Sequence, residues 1–224
     1  MEGLLIDLEK VSPFFLFSLE EYLLKNLENI YLIFYSFPPS VILGRSSRVK
    51  EEVFLENIIK DNILLARRES GGGVVYIKPD QLCVSILLPK EVTLPQDLIG
   101  KYKFLTSLIV KGLKNFSCNL TFDERGNIFL KDGKISGCGG YLGKNGYLHH
   151  FTIIRKPLLN MEKYLKRIKF KTSCLNAPKE ELKKVILEEL EKEFNISFKE
   201  FFIDSLELEE IIKKYKDKDF IYKL

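Results

Sequence analysis

Apolar side chains recur at three- and four-residue intervals in several long stretches of the chain, which is the spacing of one helix face. In the first stretch, residues 16–29, Ser18 precedes Glu20 and Glu21, and these residue types favour the start of a helix. A longer stretch, 96–116, is expected to cover one face of a sheet. The pattern predicts helices over residues 16–29, 51–60, 96–116, 159–168, 179–194 and 206–215.

Short runs rich in β-branched and aromatic residues lie between these stretches and are typical of strands. The Asp132-Gly133 pair is a hairpin signal between two of the runs. Strands and helices intermix without a strict β-α-β alternation, so the sequence predicts an α+β fold with a mostly antiparallel sheet and helices packed on it. The predicted strands are 30–37, 40–45, 63–66, 74–76, 82–87, 127–130, 134–137 and 147–154.

The composition is that of an ordinary globular protein, with 46% hydrophobic and 29% charged residues among 224. A net charge of +4 without basic runs argues against nucleic-acid binding. The sequence contains no apolar run of 18 residues and no leader-like start, which predicts a cytoplasmic protein without a membrane segment. Four cysteines without a C-x-x-C pair predict neither a metal site nor a disulfide framework.

The stretch from Ala66 to Tyr76 is the most unusual in the sequence. Two arginines, Arg67 and Arg68, are followed by Ser70 and then by three consecutive glycines, Gly71–Gly73, before a β-branched strand. Only glycine lets successive backbone amides approach a ligand without a Cβ in the way, so this loop is suited to hold a polar or anionic group. Three glycines between strands also form ordinary hairpin turns, and the glycines alone do not separate the two interpretations.

The string Arg-Arg-x-Ser-Gly-Gly-Gly-x-Val-Tyr resembles the signature of the lipoate-protein ligase A family, which shares a superfamily with octanoyl transferases and biotin protein ligases. Three further blocks resemble that family in the same order: Phe37–Arg45, Asp132–Cys138 and His149–Thr152. The resemblance implies a biotin/lipoate protein ligase catalytic-domain fold. It implies one domain over residues 1–224, helical from about 176 to 224, with no separate accessory domain. The chain departs from the family pattern at Ser46-Ser47, Ile77-Lys78 and Phe151.

The resemblance also implies which residues form the site. Lys134 takes the place of the lysine with which the superfamily neutralises the acyl carboxylate and phosphate, and a lysine offers three donors to a developing oxyanion. Neighbouring strand residues face opposite sides, so only one of the two histidines is expected in the pocket, and we expect it to be His150. A solvated hairpin lysine and a packed histidine are the ordinary alternatives. The residues expected to bind lipoate or ATP are Arg67, Arg68, Ser70, Gly71, Gly72, Gly73, Gly137, His150 and Thr152.

Two mechanisms fit these motifs. In the first, ATP with Mg²⁺ converts lipoate or octanoate to an acyl-adenylate, which acylates a lysine of a 2-oxoacid dehydrogenase lipoyl domain or of the glycine cleavage H protein. In the second, an ATP-independent transferase, which needs no cofactor, takes the acyl group from acyl carrier protein or H protein. It carries the group as a thioester on Cys118 or Cys174, while Cys138 lies within a strand closer to Lys134. The Arg-Arg-x-Ser-Gly-Gly-Gly string favours the ligase. The short C-terminus points towards the transferase, and a ligase without the accessory domain is expected to work with a separate accessory subunit.

Two other classes of protein fit the sequence less well. An inert binding module would suit the three departures from the family pattern, but the retained Lys134 argues against it. A biotin ligase would carry a Gly-Arg-Gly-Arg loop, which this sequence lacks.

Overall fold

In the computed structural model, the described residues, 1–131, 133–203 and 205–223, form eleven strands and seven α-helices. The strands are β1 (Gly3–Asp7), β2 (Ile30–Tyr35), β3 (Ser40–Leu43), β4 (Leu64–Arg67), β5 (Val75–Ile77), β6 (Leu82–Pro89), β7 (Leu120–Phe122), β8 (Ile128–Leu130), β9 (Gly133–Leu142), β10 (Gly146–Ile153) and β11 (Phe198–Glu200). The helices are α1 (Pro13–Lys25), α2 (Val49–Glu52), α3 (Leu55–Lys60), α4 (Leu98–Leu113), α5 (Lys179–Phe194), α6 (Glu209–Lys216) and α7 (Lys218–Tyr222). Asp132 of the predicted hairpin turn lies outside the described residues.

The strands form two sheets. The larger has eight strands in the order β11-β1-β2-β6-β10-β9-β8-β7, in which β1 pairs in parallel with both β2 and β11 and the other pairs are antiparallel. The smaller sheet has the order β4-β3-β5. The prediction of an α+β fold with a mostly antiparallel sheet is confirmed.

Strand β2 shows why the central strands read as continuous apolar runs. Its alternate residues Ile30, Leu32 and Phe34 belong to the core cluster that contains α4 and α5. The residues between them belong to a second cluster that contains α1 and α6. A strand covered on both faces needs apolar residues at every position. Helices therefore cover both faces of the large sheet, and α5 packs beside α4.

One predicted helix is wrong. Residues 159–168 contain only a single 3₁₀ turn, Met161–Lys163, and the chain then continues as an irregular strap (residues 164–172) with isolated bridges at Leu165 and Thr172. The strap is pinned to the small helices, because Phe54 N donates to Tyr164 O at 2.9 Å and Lys166 N donates to Glu52 O at 2.9 Å. These external backbone partners replace the helical hydrogen bonds, although the apolar spacing resembles that of a helix.

Other boundaries differ in smaller ways. The predicted helix 51–60 is split into α2 and α3, whereas the predicted helix 179–194 coincides with α5. The pattern missed β1, β7, β11 and α7, which have three to five residues each. No helix within the described ranges has the length and apolar character to cross a bilayer.

Candidate functional site

A cleft of about 700 Å³ opens between the small sheet and strands β9 and β10 of the large one. The strap lines a further side of it. A cleft of this size, with a few polar groups set among apolar walls, is the usual form of a small-molecule site. Apolar and aromatic side chains from the surrounding elements, among them Phe17, Tyr35, Phe37 and Ile42, complete the lining.

The glycine loop (Ser70–Gly73) is held by the side chain of Arg68. Its Nη2 donates to the carbonyl oxygens of Gly71 and Gly73 at 2.8 and 2.9 Å, and its Nε donates to Ser70 Oγ at 2.9 Å. Burial lowers the pKa of Arg68 to about 10, so the side chain remains a cation at neutral pH. Arg68 therefore fixes the shape of the loop and also lines the cleft.

The three glycines of the loop have different surroundings. Gly72 has a φ of +99°, which favours glycine, and a Cβ there would lie 2.9 Å from Arg68 Nη2. A Cβ at Gly44, in the second family-like block, would overlap the Gly72 carbonyl. An added Cβ at Gly71 or Gly73 would meet nothing within 4 Å. The backbone shape of the loop thus requires glycine at position 72, whereas positions 71 and 73 have open space where a Cβ would lie.

His150 reaches from β10 to the glycine loop. Its Nε2 lies 2.6 Å from Ser70 Oγ, and its Nδ1 lies 3.2 Å from Oε1 of Glu20 on α1. A Cβ at Gly139 on the adjacent strand would lie 2.9 Å from Nε2, so glycine leaves room for the ring. His149 packs among aromatic rings on the opposite face, and burial lowers its pKa to about 3. Only His150 of the two lines the cleft.

Lys134 lies on the cleft face of β9 because the strand carries a β-bulge. Ile128 pairs with Ser136, but the next residue, Phe129, pairs with Lys134, so β9 contains one extra residue at this point. The bulge lets the Lys134 side chain cross Gly137, where a Cβ would lie 2.6 Å from Nζ. On a regular strand, residues three apart would face opposite sides of the sheet.

The Lys134 ammonium makes no hydrogen bond or ion pair with the residues that the structure describes. Its Nζ lies 5.2 Å from the ring centroid of Phe170 on the strap, a cation–π contact. Burial lowers the pKa of Lys134 below the ordinary lysine value, and the nearby Asp123 and Cys138 oppose this shift. Ser136, in the same wall, has a buried hydroxyl that also lacks a partner among the described residues. This wall offers a cation and a hydroxyl to a ligand.

The strap and the residue that follows it, Ser173, hold the backbone of Lys134 through its amide and its carbonyl. The Lys134 amide donates to the Lys171 carbonyl at 2.8 Å, and its carbonyl accepts from the Ser173 amide at 3.0 Å. The residue between them, Thr172, forms a parallel bridge with Lys134. The backbone at position 134 is therefore fixed, while the side chain is left to interact with a ligand.

Arg67 does not line the cleft, although the sequence suggested that it would bind a ligand. Its side chain is fully buried behind the loop. Its Nη1 donates to the carbonyl oxygens of Gly44, Arg45 and Ser47 at 2.9, 3.1 and 2.8 Å, and its Nε donates to Ile221 O on α7 at 2.9 Å. Arg67 joins the loop that follows β3 to the last helix.

The cysteines suggested as nucleophiles lie away from the lining. Neither Cys118, which is exposed, nor Cys174 is among the residues that line the cleft. Cys138 does line it, but burial raises the pKa of this thiol to about 12. Since the thiolate is the nucleophile, Cys138 is poorly suited to attack at neutral pH.

The remaining suggested residues differ in their position relative to the cleft. Gly137 and Thr152 line it, as do Gly72 and Gly73. Ser70, which is buried, and Gly71, which is exposed, are not among the lining residues.

Sequence reasoning missed Glu20, which the buried face of α1 places against His150. The available signal was a carboxylate in the apolar stripe between Leu16 and Leu24. Such a residue is rarely buried unless it has a partner.

The fold is shared with solved structures of lipoate ligases. Plasmodium falciparum LipL1 in complex with lipoate matches with a TM-score of 0.80 and 26% identity, over 100% of this chain and 74% of that chain. A lipoate-protein ligase A bound with ATP matches with a TM-score of 0.88 and 22% identity over 100% of both chains. A bi-partite lipoate protein ligase from Thermoplasma acidophilum, described together with its E2 lipoyl domain, matches with a TM-score of 0.87 and 21% identity, over 100% of this chain and 98% of that one. The last two, below 25% identity, show the fold alone.

The sequence comparisons narrow this class to a family. Residues 12–206 match the model of the lipoyl protein ligase A/B catalytic domain, and the chain belongs to that family. A Mycoplasma pneumoniae protein described as "Probable lipoate-protein ligase A" is 32% identical over 158 residues, which covers 69% of this chain and 46% of that protein. The chain thus spans about half the length of the curated relatives that it matches.

Proposed function

We propose that this protein is a lipoate-protein ligase, which joins lipoate or octanoate through an acyl-adenylate to a lysine of an acceptor protein. One observation carries the proposal. A partly buried ammonium, that of Lys134, lies in a cleft beside a glycine loop and has no hydrogen-bond or ion-pair partner among the described residues. An unpaired cation at such a position is suited to receive negative charge from a substrate.

The proposed reaction has two steps. In the first, a carboxylate oxygen of the acid bonds to the α-phosphorus of ATP, and the bond to the leaving oxygen breaks to release pyrophosphate. In the second, the acceptor's ε-amine bonds to the acyl carbon, AMP leaves, and the amine proton passes to solvent. Both steps build negative charge on oxygens bound to carbon or phosphorus. Lys134 would stabilise that charge, and the fixed loop would position the reacting groups.

ATP and Mg²⁺ enter the proposal as substrate and companion ion. The ATP-bound structure of similar fold supports the use of ATP. No group of three or more His, Cys, Asp or Glu side chains in the described ranges could hold a metal ion. Asp123, which influences Lys134, already accepts from Asn127 Nδ2 at 2.7 Å and from the amides of Arg125 and Asn127 at 2.9 Å. Mg²⁺ would therefore be held mainly by the phosphate oxygens of ATP.

The cysteine transferase is not favoured. Neither Cys118 nor Cys174 lines the cleft, and burial raises the pKa of Cys138 to about 12. A thioester mechanism needs a thiolate at the acyl carbon, and no described thiol combines a cleft position with a lowered pKa.

The proposed acceptor is a lipoyl domain of a 2-oxoacid dehydrogenase or the glycine cleavage H protein. The lipoyl domain described with the T. acidophilum ligase supports the first choice, and the bi-partite description of that ligase supports a separate accessory subunit for this one. The cytoplasmic location stays a prediction.

Mass spectrometry of the acceptor tests the proposed function. Purified protein is mixed with an apo lipoyl domain and either lipoate with ATP and Mg²⁺ or an octanoyl acyl carrier protein. We expect the acceptor to gain a lipoyl group only when ATP is present. Acyl transfer from the carrier protein without ATP, with an acyl adduct on the enzyme, would contradict the ligase assignment.

A further inference from the structure

A chain of buried polar side chains crosses from the first helix to the glycine loop. Glu20 Oε1 accepts from Ser85 Oγ at 2.5 Å and lies 3.2 Å from His150 Nδ1. On the other side of the ring, His150 Nε2 lies 2.6 Å from Ser70 Oγ, which accepts from Arg68 Nε at 2.9 Å. All five side chains are buried. The chain ends at the arginine that shapes the loop.

The donors at the two ends favour one direction for the bonds between them. Arg68 can only donate, so the Ser70 hydroxyl accepts from it and has its own hydrogen left for His150 Nε2. Nε2 is then the acceptor, and Nδ1 carries the ring proton and donates it to Glu20. One tautomer of His150 therefore satisfies every link from Arg68 to Glu20. Ser85 Oγ, which donates to Glu20, also lies 3.2 Å from Tyr35 OH.

The two ends of the chain also carry opposite charges in a buried environment. Burial lowers the pKa of Arg68 to about 10, and the charge of Glu20 opposes that shift. Two side chains, Ser70 and His150, bridge the cation and the carboxylate. Breaking a buried arrangement of this kind leaves a charge or a donor without a partner, which is strongly unfavourable.

The sequence of groups Glu20, His150 and Ser70 has the order of a hydrolytic triad, but Ser70 is not placed to act as a nucleophile. Its residue exposure is 1%, and it is not among the residues that line the cleft. Its oxygen also accepts a hydrogen bond from Arg68. The chain is built to hold groups in place.

We propose that Glu20 is a positioning residue of the ligase, which fixes the Nδ1–H tautomer of His150 and, through Ser70 and Arg68, holds the glycine loop in its ligand-binding shape. This inference rests on the proposed function where catalysis is measured. The carboxylate is not among the residues that line the cleft, and His150, which does line it, connects the carboxylate to a ligand.

Two substitutions at one position separate the hydrogen-bond role from a general loss of stability. Glu20→Gln keeps an oxygen that can accept from His150 and Ser85, whereas Glu20→Leu removes it. We expect Glu20→Leu to raise the KM for lipoate and ATP about tenfold with kcat nearly unchanged, because the lost interaction contributes to ground-state binding. In Glu20→Gln, both constants should stay within about threefold of the wild-type values. The neighbouring Glu21, which pairs with Lys214 on α6, gives the matched control, and Glu21→Gln is expected to leave both constants unchanged.

A measurement without turnover tests the inference independently. Ring ¹⁵N spectra of the wild type, with the two histidines assigned through His149→Gln, should show His150 protonated at Nδ1 and unprotonated at Nε2. In Glu20→Leu this preference should be lost, and the amides of the glycine loop should exchange faster, while Glu20→Gln retains both features. If ligation fails in the wild type, the proposed function falls while these spectra still test the inference. A wild-type His150 protonated at Nε2, or a Glu20→Gln variant as impaired as Glu20→Leu, would overturn it.

Discussion

The glycine loop and strand β9 line the same cleft, but the polar side chains of the loop are hydrogen-bonded within the protein and two of those on β9 are not. On the loop side, Arg68 has carbonyl and hydroxyl acceptors, and Ser70 and His150 bond to each other. On β9, the Lys134 ammonium and the Ser136 hydroxyl have no hydrogen-bond partner among the described residues. Paired groups fix the shape of a site. Unpaired groups near a cleft are the ones that a ligand can satisfy.

The largest expected effect comes from removing the unpaired ammonium of Lys134. Lys134→Met keeps most of the length of the side chain but removes the charge that faces the substrate. We expect kcat/KM for ligation to fall about 10³-fold, or about 4 kcal/mol in transition-state stabilisation. Lys103→Met, on the exposed side of α4, removes an equal charge, and its kcat/KM should stay within about threefold of the wild-type value. Near-normal kinetics in the folded Lys134→Met protein would contradict the account.

The second prediction tests whether Arg67 supports the loops and does not contact the ligand. Arg67→Met removes the hydrogen bonds that this side chain donates to four carbonyl oxygens, so we expect the free energy of unfolding to fall by about 3 kcal/mol in urea titration. Arg48→Met, which breaks an exposed pair with Glu51, should change it by less than about 0.5 kcal/mol. Equal stability of the two variants would contradict a structural role for Arg67.

The third prediction sharpens the comparison by moving the ammonium without removing it. In Gly137→Ala the new Cβ would lie 2.6 Å from Lys134 Nζ, so the side chain must shift away from its position. A displacement of this size is expected to lower kcat/KM between about 10- and 100-fold. Gly143→Ala, whose Cβ would meet only ordinary contacts of 3.5 Å or more, should leave the rate unchanged. A fully active Gly137→Ala would show that the position of the ammonium is not critical.

The fourth prediction concerns the glycine loop, whose polar groups are paired. Gly72→Ala combines a φ of +99° with a Cβ 2.9 Å from Arg68 Nη2, so we expect a loss of about 1–2 kcal/mol in unfolding free energy. The adjacent Gly73→Ala meets nothing within 4 Å and should change stability by less than about 0.5 kcal/mol. Thermal unfolding of both variants makes the comparison. Similar losses in the two would mean that the loop is not held as described.

The smallest expected effect is on the pH dependence of the free energy of unfolding. Burial lowers the pKa of Lys134 in the folded protein, so the unfolded chain binds more protons between that pKa and the ordinary lysine value. The charged lysine therefore destabilises the fold at neutral pH, and this penalty is relieved as the pH rises towards the ordinary value. We expect Lys134→Met to be more stable than the wild type by on the order of 0.5 kcal/mol at pH 7. The difference should shrink by pH 10 in urea titrations, and a constant difference would contradict the pKa shift.

The fold followed from the sequence where one local pattern decides the structure. Helix α5 occupies the residues that periodicity assigned to it, and β2 reads as a strand because apolar residues occupy both of its faces. The strap could not be predicted from the sequence, because its backbone partners lie on α2, after α2 and on β9, more than thirty residues away along the chain. Local spacing carries no information about such partners.

The candidate site could be predicted only in part. The motifs placed Lys134, His150 and the glycine loop together, but two features depend on long-range pairing. The bulge in β9 sets the face on which Lys134 lies, and it is visible only in the register with β8. Likewise, two adjacent arginines look equivalent in sequence, yet one lines the cleft and the other is buried behind it.

The most direct test of the account is the pKa of Lys134 itself, followed by NMR of ¹³Cε-labelled lysine and assigned with Lys134→Arg. In the free protein, we predict a value below that of an ordinary lysine. When a non-hydrolysable acyl-adenylate mimic binds, its negative charge should pair with the ammonium and raise the pKa. A pKa of Lys134 that is the same with and without the bound mimic would contradict the central claim.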